Sequence, residues 1–355
     1  MTTSLSATAG AACAALLLTL ALGEMLRRLA LSRGLTDRPS ARKAHERPTP
    51  YLGGVAIAAG TCVATTAAAP SDAALPVLAG WAVLVALLGL ADDLRPLSPS
   101  SRLLVEGLAA AGVVASGGGT GLPGAVPDTV VTVLWIVLVT NAFNLLDNMD
   151  GVTAGVGAAT AAILAAAAAF AGQAGIAVFL AALGASCAAF LAHNWPPARM
   201  FMGDAGSLFI GFSLASATVL IDAPRAPLDR ITGMVLVTFV ATVDTALVMV
   251  SRRRAGRSCL TGGTDHVAHR LRRLGLRPRQ VASVLPAAAA AAGLCGLLVG
   301  RHWLLSGIVL PVAVTTGAAT IWLLLRVPVY PARQERAASP GAGDNGAEHA
   351  GGPLR

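Results

Sequence analysis

Five short polar stretches hold the acids, amides, imidazoles and glycines that could do chemistry in this chain. The richest reads Asn141-Ala142-Phe143-Asn144-Leu145-Leu146-Asp147-Asn148-Met149-Asp150-Gly151. Asn141, Asn144 and Asp147 recur every third residue, so on a helix they descend one face and present hard oxygen ligands of the kind Mg²⁺ prefers. A solvated turn would explain one or two of these residues, not the series. A second stretch runs from His193-Asn194-Trp195 to Phe201-Met202-Gly203-Asp204-Ala205-Gly206-Ser207. Glycines flanking Asp204 let backbone amides and a carboxylate reach a phosphate–metal centre together. Asp92-Asp93 places two like charges side by side, which is costly unless a cation or a proton compensates. A solvated helix end is the plain alternative; a metal or acid–base role is the better reading. The chain's one lysine, Lys43, lies two residues from His45 and suits an anionic ligand such as a phosphate. The Gly53-Gly54 pair that follows permits close approach of a ligand or of another helix. The last stretch carries His266, His269 and Arg270; with no third nitrogen or sulfur ligand at useful spacing, donors for a diphosphate fit better than zinc.

The elements that must position these residues are apolar. Of 355 residues 55% are hydrophobic and only 12% charged, with a mean hydropathy of +0.69. A soluble domain carries about 25% charge. The natural solvent is a bilayer, crossed by roughly 20 apolar residues per helix. Long continuous apolar runs argue against a barrel, whose strands alternate. Polar, Pro and Gly punctuation gives about eleven spans, at 7–26, 51–69, 74–91, 103–118, 128–146, 151–171, 174–192, 206–222, 231–251, 281–300 and 303–325. The expected fold is all-α and polytopic: one transmembrane domain over 1–330, then a tail over 331–355 of Gly, Ala and charge expected to be disordered. No Lys or Arg precedes Arg27, so the first span lacks the basic start of a signal peptide and reads as a retained helix.

Net charge is +8, yet the basic residues are confined to particular loops, which encodes topology rather than nucleic-acid binding. With the N-terminus outside, 23 of the 26 Lys and Arg residues fall on the inner side, leaving Arg225, Arg230 and Arg301 outside. Arg27, Arg28 and the Arg252-Arg253-Arg254 run are read first as such topogenic charge. All five polar stretches then lie on the cytoplasmic face, as does the C-terminus. Asp244, about two turns inside a span, is either functional or the partner of a basic loop residue. Five cysteines without metal-ligand spacing imply no disulfide framework.

In order and in combination, RKAH…PTPYLGG, LADDLRPLSP, NAFNLLDNMDG, FMGDAGS and DHVAHRL resemble the polyprenyl-phosphate N-acetylhexosamine-1-phosphate transferases over about Asp37 to Leu271. The resemblance implies an enzyme that moves a sugar-1-phosphate from a UDP-N-acetylhexosamine to a polyprenyl phosphate in the cell membrane, releasing UMP. It makes Asp92 and Asp93 the acidic pair beside the lipid phosphate. Asn144 and Asp204 become ligands of Mg²⁺, with Mn²⁺ as a substitute, and Asp147 lies beside them. Asp150, Asn194 and Phe201 match a uridine pocket with Phe201 stacked on uracil; His266, His269 and Arg270 match the basic motif near the diphosphate. Lys43, His45 and Asn148 join the substrate-binding set, although Asn148 stands where Gly is common. Two histidines in the last loop, rather than three in a row, favour an N-acetylglucosamine donor over the muramoyl-pentapeptide one. A homodimer is compatible with this reading, and no nucleic acid is expected.

Joining two anions demands charge neutralisation and in-line positioning. Either direct attack with an aspartate taking the proton, or an aspartyl intermediate, satisfies the motifs. Other membrane chemistries fit less well. An intramembrane aspartyl protease needs Gly where this chain has Phe201. A secondary transporter keeps its acidic sites near the midplane, not crowded on one face. A CDP-alcohol phosphotransferase needs Ala-Arg where Ala154-Gly155 stands.

Overall fold

The computed structural model describes residues 2–37, 49–69, 74–221, 226–258 and 263–330. Lys43, His45 and the tail lie outside these residues. The described chain is all-α apart from a two-residue antiparallel pairing of β1 (Thr36–Asp37) with β2 (Thr49–Pro50), which closes the first loop. The helices are α1 (Thr2–Arg33), α2 (Gly53–Ala68), α3 (Ala74–Leu94), α4 (Pro99–Ala115), α5 (Ala125–Leu146), α6 (Val152–Phe170), α7 (Ala174–Asn194), α8 (Gly203–Leu220), α9 (Pro227–Val237), α10 (Phe239–Arg254), α11 (Val267–Arg273), α12 (Pro278–Gly300) and α13 (Ser306–Leu325). In a bilayer every backbone polar group needs an internal partner, and helices supply it.

Among the described residues, eight helices are long and apolar enough to cross a membrane, and the bent α9–α10 pair makes a ninth. Helices α2 and α4, of 16 and 17 residues, overlap expected spans but are shorter than each of those eight. The chain is therefore a polytopic helical membrane protein. Helices α7 and α8 are the most enclosed and α1 and α13 the least. Helix α8 packs against α3 and α5, and α7 against α1 and α6.

Several boundaries depart from the apolar pattern for local reasons. Helix α1 runs past its apolar segment because Glu24 pairs with Arg27 at 2.9 Å and Arg28 at 2.7 Å, three and four residues on. The span expected over 231–251 is not one helix: α9 and α10 meet at Thr238 at an angle of 71°. There the Thr238 hydroxyl donates to the Met234 carbonyl at 2.9 Å and the Thr242 hydroxyl to the Thr238 carbonyl at 2.9 Å, sharing those carbonyls with the backbone amides of the same residues, a back-bonding that bends helices. Helix α4 starts after Ser98, whose hydroxyl accepts from the Ser101 amide at 3.2 Å, with Pro99 in the first turn.

Candidate functional site

The ends of α3 and α5 and the starts of α4 and α8 meet at one polar cluster. Its centre is a cation that sequence reasoning left among the loop charges, Arg102. One guanidinium nitrogen lies 2.6 Å from Asp92 Oδ2 and 3.1 Å from Asp204 Oδ2, and the other donates to Asn144 Oδ1 at 3.3 Å. Asn144 in turn donates to Asp204 Oδ1 and to the Ser207 hydroxyl, both at 2.9 Å. Thus Asn144 and Asp204, 60 residues apart, are brought together as expected. The only sequence signal for Arg102 was a basic residue in the first turn of a helix, ten residues after Asp92.

The adjacent acids divide their work. Asp92 faces Arg102 and also accepts from the Leu97 amide at 2.6 Å. Asp93 instead accepts from the Asp204 and Ala205 amides at 2.9 and 3.1 Å, so it caps the start of α8. Two like charges are tolerated because one meets a guanidinium and the other a helix N-terminus.

The glycines supply the close approach. Gly53 and Gly54 donate to the carbonyls of Phe201 and Met202 at 3.0 and 2.8 Å, and the Phe201 amide donates to Pro50 at 2.8 Å. A Cβ on Gly54 would lie 2.1 Å from the Gly206 nitrogen. The approach left open in the sequence is therefore helix packing, α2 against the start of α8. Gly203 turns with φ +69° beneath Asp93, a left-handed conformation suited to glycine.

A second layer joins the loops. Asn194 is buried, accepting from the Gly151 amide at 2.8 Å and donating to the Met200 carbonyl at 2.9 Å. Its amide fastens the 147–151 loop to the 195–202 loop. Asp150 accepts from the Ala198 amide at 2.9 Å in the same junction, and Asn148 donates to Leu145 and Leu146 carbonyls at 3.0 and 3.1 Å. Phe201 is half-buried beside them. Asp147 follows the last turn of α5; burial first, and the charge of Asp204 second, push its carboxyl up to about 7. Asn141 turns away from the centre to Glu106, a buried acid one turn below Arg102 that the sequence reading passed over.

The basic motif forms a separate network. Asp244 accepts from His266 Nδ1 at 2.8 Å and from the Val267 amide at 2.6 Å, anchoring the start of α11. Of the two readings open for this intramembrane acid, pairing with a loop residue is the one observed. Arg252, read as topogenic, forms a buried pair with Asp265 at 2.9 Å, and the Tyr330 hydroxyl donates to Asp265 at 2.7 Å. Burial alone would raise the Asp265 carboxyl; these two partners hold it below the usual carboxylate range. Arg270 was expected to face a diphosphate, but only 1% of it is exposed. It donates to the Asp265, Leu324 and Val327 carbonyls at 3.0, 2.8 and 2.7 Å and to Ser251 at 2.5 Å, so it braces the loop against the end of α13. His269 is half-buried, and burial, then His266, hold its imidazole below the usual range.

Comparison with known proteins sets these clusters in a family. The model for "Glycosyl transferase family 4" matches residues 75–222, which contain Asp92, Arg102, Asn144 and Asp204. A Streptomyces coelicolor protein carrying the general name of glycosyltransferase is 41% identical over 336 residues, 92% of this chain and 78% of that protein. The decaprenyl-phosphate N-acetylglucosaminephosphotransferase of Mycobacterium tuberculosis is 30% identical over 301 residues, 73% of this chain and 74% of that protein. The chain belongs to glycosyl transferase family 4. A phospho-N-acetylmuramoyl-pentapeptide-transferase of Moorella thermoacetica is 30% identical over 254 residues, 64% of this chain and 78% of that protein. The expected family is thus borne out.

Whether the cluster suits the divalent ion expected from the sequence turns on its donors. Among the described residues no three His, Cys, Asp or Glu side chains group to clasp a metal alone. Mg²⁺ does not require that: it is held by one or two carboxylates and completed by water and substrate phosphates. Oxygens of Asp92, Asn144 and Asp204 converge on the Arg102 guanidinium, so hard donors of the kind such an ion takes are gathered at one point. The residues fit.

Proposed function

We propose that this glycosyl transferase family 4 enzyme moves N-acetylglucosamine-1-phosphate from a UDP-sugar to a polyprenyl phosphate and releases UMP, starting a lipid-linked cell-envelope glycan. The observation that carries the reading is the convergence of Asp92, Asn144 and Asp204 oxygens on one cation beside the Asp150–Asn194–Phe201 junction. The names of the mycobacterial and Streptomyces relatives support it. Asp204 and Asn144 would hold Mg²⁺, or Mn²⁺ in its place, and Asp92 would lie against the incoming lipid phosphate. When bound, the ion supplies the positive charge that offsets repulsion between the two phosphates. A lipid phosphate oxygen attacks the sugar-linked phosphorus and the bond to UMP breaks. Asp93 keeps α8, and with it Asp204, in place. Asp150, Asn194 and Phe201 shape the nucleoside end, and of the two histidines it is the half-buried His269 that lies toward the diphosphate, while Asp244 holds the buried His266. The His266/His269 pair without a third adjacent histidine favours N-acetylglucosamine over the muramoyl-pentapeptide donor.

The test is UMP release by purified enzyme with polyprenyl phosphate and a panel of UDP-N-acetylhexosamines, with Phe201→Ala alongside. UDP-N-acetylglucosamine is expected to be the best donor. Aromatic–base stacking is worth about 1–3 kcal/mol, so Phe201→Ala should raise the donor KM by about tenfold while lipid-phosphate KM stays near its original value. An unchanged donor KM removes Phe201 from the pocket. Preference for the muramoyl-pentapeptide donor moves the enzyme to the peptidoglycan branch.

The same reading has eleven crossings in the cell membrane, N-terminus outside, and the polar clusters at the cytoplasmic face, supported by the 23-to-3 division of basic residues. Cysteine placed at Ser258 should resist membrane-impermeant labelling in intact cells. Labelling from outside reverses the orientation.

A further inference from the structure

Arg102 has no assigned part in the reaction just proposed, yet it occupies the centre of the cluster. Its two terminal nitrogens span three oxygens of Asp92, Asp204 and Asn144 at 2.6, 3.1 and 3.3 Å. Two of these residues, Asn144 and Asp204, are the ones read as the ion's ligands. Asp204 uses Oδ2 for Arg102 and Oδ1 for Asn144, and Asn144 uses its carbonyl for Arg102. A divalent ion drawing on Asp204 Oδ2 and Asn144 Oδ1 would meet the guanidinium at those atoms. Two cations sharing the same two oxygens repel strongly when half enclosed.

The anchoring of Arg102 favours exchange. It stands in the first turn of α4, which Ser98 caps, and its side chain is 19% exposed, between Asp92 at 11% and Asp204 at 31%. A long unbranched side chain on a partly open rim can swing away without moving a helix. Asp92 also keeps a second partner, the Leu97 amide, so it stays fixed when the guanidinium leaves.

We propose that Arg102 is the resident counter-ion of this acidic cluster, that a divalent cation must displace it to bind, and that the freed guanidinium then faces the substrate phosphates. A planar fork matched to carboxylate oxygens is equally matched to phosphate oxygens, so one side chain serves both states. Arg102 is thus a positioning residue: it holds Asp92, Asn144 and Asp204 apart at liganding distance, and its release couples ion entry to phosphate binding. Displacement lowers the apparent ion affinity by the fraction of time the site is open, so removing the competitor tightens binding.

This inference rests on the reading of the cluster as an ion site, and the experiment separates the two. Free Mn²⁺ is measured by electron paramagnetic resonance during titration of the full-length protein in detergent: wild type, Arg102→Gln and Arg102→Lys. Melting temperature is recorded with EDTA and with Mg²⁺. Arg102→Gln should bind Mn²⁺ about tenfold more tightly than wild type and gain more melting temperature from Mg²⁺. Arg102→Lys keeps the charge on one nitrogen that cannot span the three oxygens, and should fall between them. Equal or weaker Mn²⁺ binding by Arg102→Gln overturns the displacement. So does a Lys variant matching wild type while Gln binds tightly, because charge alone then explains the effect. If Arg102→Gln does not fold, Arg102→Lys carries the test: tighter Mn²⁺ binding supports displacement and unchanged binding overturns it. Failure of every form to bind Mn²⁺ overturns the ion site itself.

Discussion

Asp204→Asn should lower UMP release by about a hundredfold or more while leaving protein level and membrane insertion normal. The substitution keeps the shape of the side chain and removes its charge. The charge is what matters: among the described residues Asp204 is the one acid bonded both to Arg102, at 3.1 Å, and to Asn144, at 2.9 Å. An ion that offsets repulsion between two phosphates contributes several kcal/mol to the transition state, and each 1.36 kcal/mol is about tenfold in rate. Stability should change little, because the side chain is 31% exposed and the cap of α8 is supplied by Asp93, not by Asp204. EDTA in excess should abolish wild-type turnover, and added Mg²⁺ should restore it. Near-normal turnover by Asp204→Asn, or by wild type in EDTA, would remove the metal-centred reading.

Gly54→Ala should be nearly as damaging, though it adds one methyl outside the polar cluster. That methyl would lie 2.1 Å from the Gly206 nitrogen, 2.4 Å from its Cα and 2.7 Å from the Ala205 carbonyl carbon. All three are backbone atoms of the first turn of α8, and no side chain can rotate out of the way. Helix α2 must back off from α8, stretching the 2.8 Å bond from the Gly54 amide to Met202. Overpacking of this kind costs about 1–3 kcal/mol, so the melting temperature in detergent should drop by several degrees. Asp204 moves with its helix, and a misplacement of about 1 Å costs on the order of a hundredfold in rate. Gly80→Ala in α3 is the matched control, since a Cβ there meets nothing within 4 Å, and it should be silent in both measurements. A Gly54→Ala enzyme with wild-type rate and melting temperature would show that α2 does not set the position of Asp204.

The spans were legible because a bilayer forces long apolar runs, and each expected span coincides with a helix or with the α9–α10 pair. Helix ends were less so, since they depend on particular partners: Glu24 carries α1 onward, and Asp93 starts α8 three residues before the apolar run expected from 206. The bend at Thr238 could not be seen in composition, because threonine is common in straight apolar helices too. Within the site, Asn144 and Asp204 announced themselves by residue type, local spacing and family resemblance. Arg102 did not: its meaning comes from a partner 102 residues away, and counted alone it is one more basic residue at a membrane face. The same holds for Arg270 and Asp244, whose types suggested ligand chemistry until their partners were seen to be carbonyls and an adjoining loop. Residue type at a membrane face identifies what could react; long-range contacts decide which residues hold and which are held.

The central claim is that the sugar travels with its phosphate. It is tested most directly by following the sugar-linked phosphorus of the donor. Purified enzyme, polyprenyl phosphate and UDP-N-acetylglucosamine labelled with ³²P at that position should give a labelled lipid diphosphate sugar and unlabelled UMP, one for one. Release of labelled UDP with the sugar alone on the lipid would contradict the account.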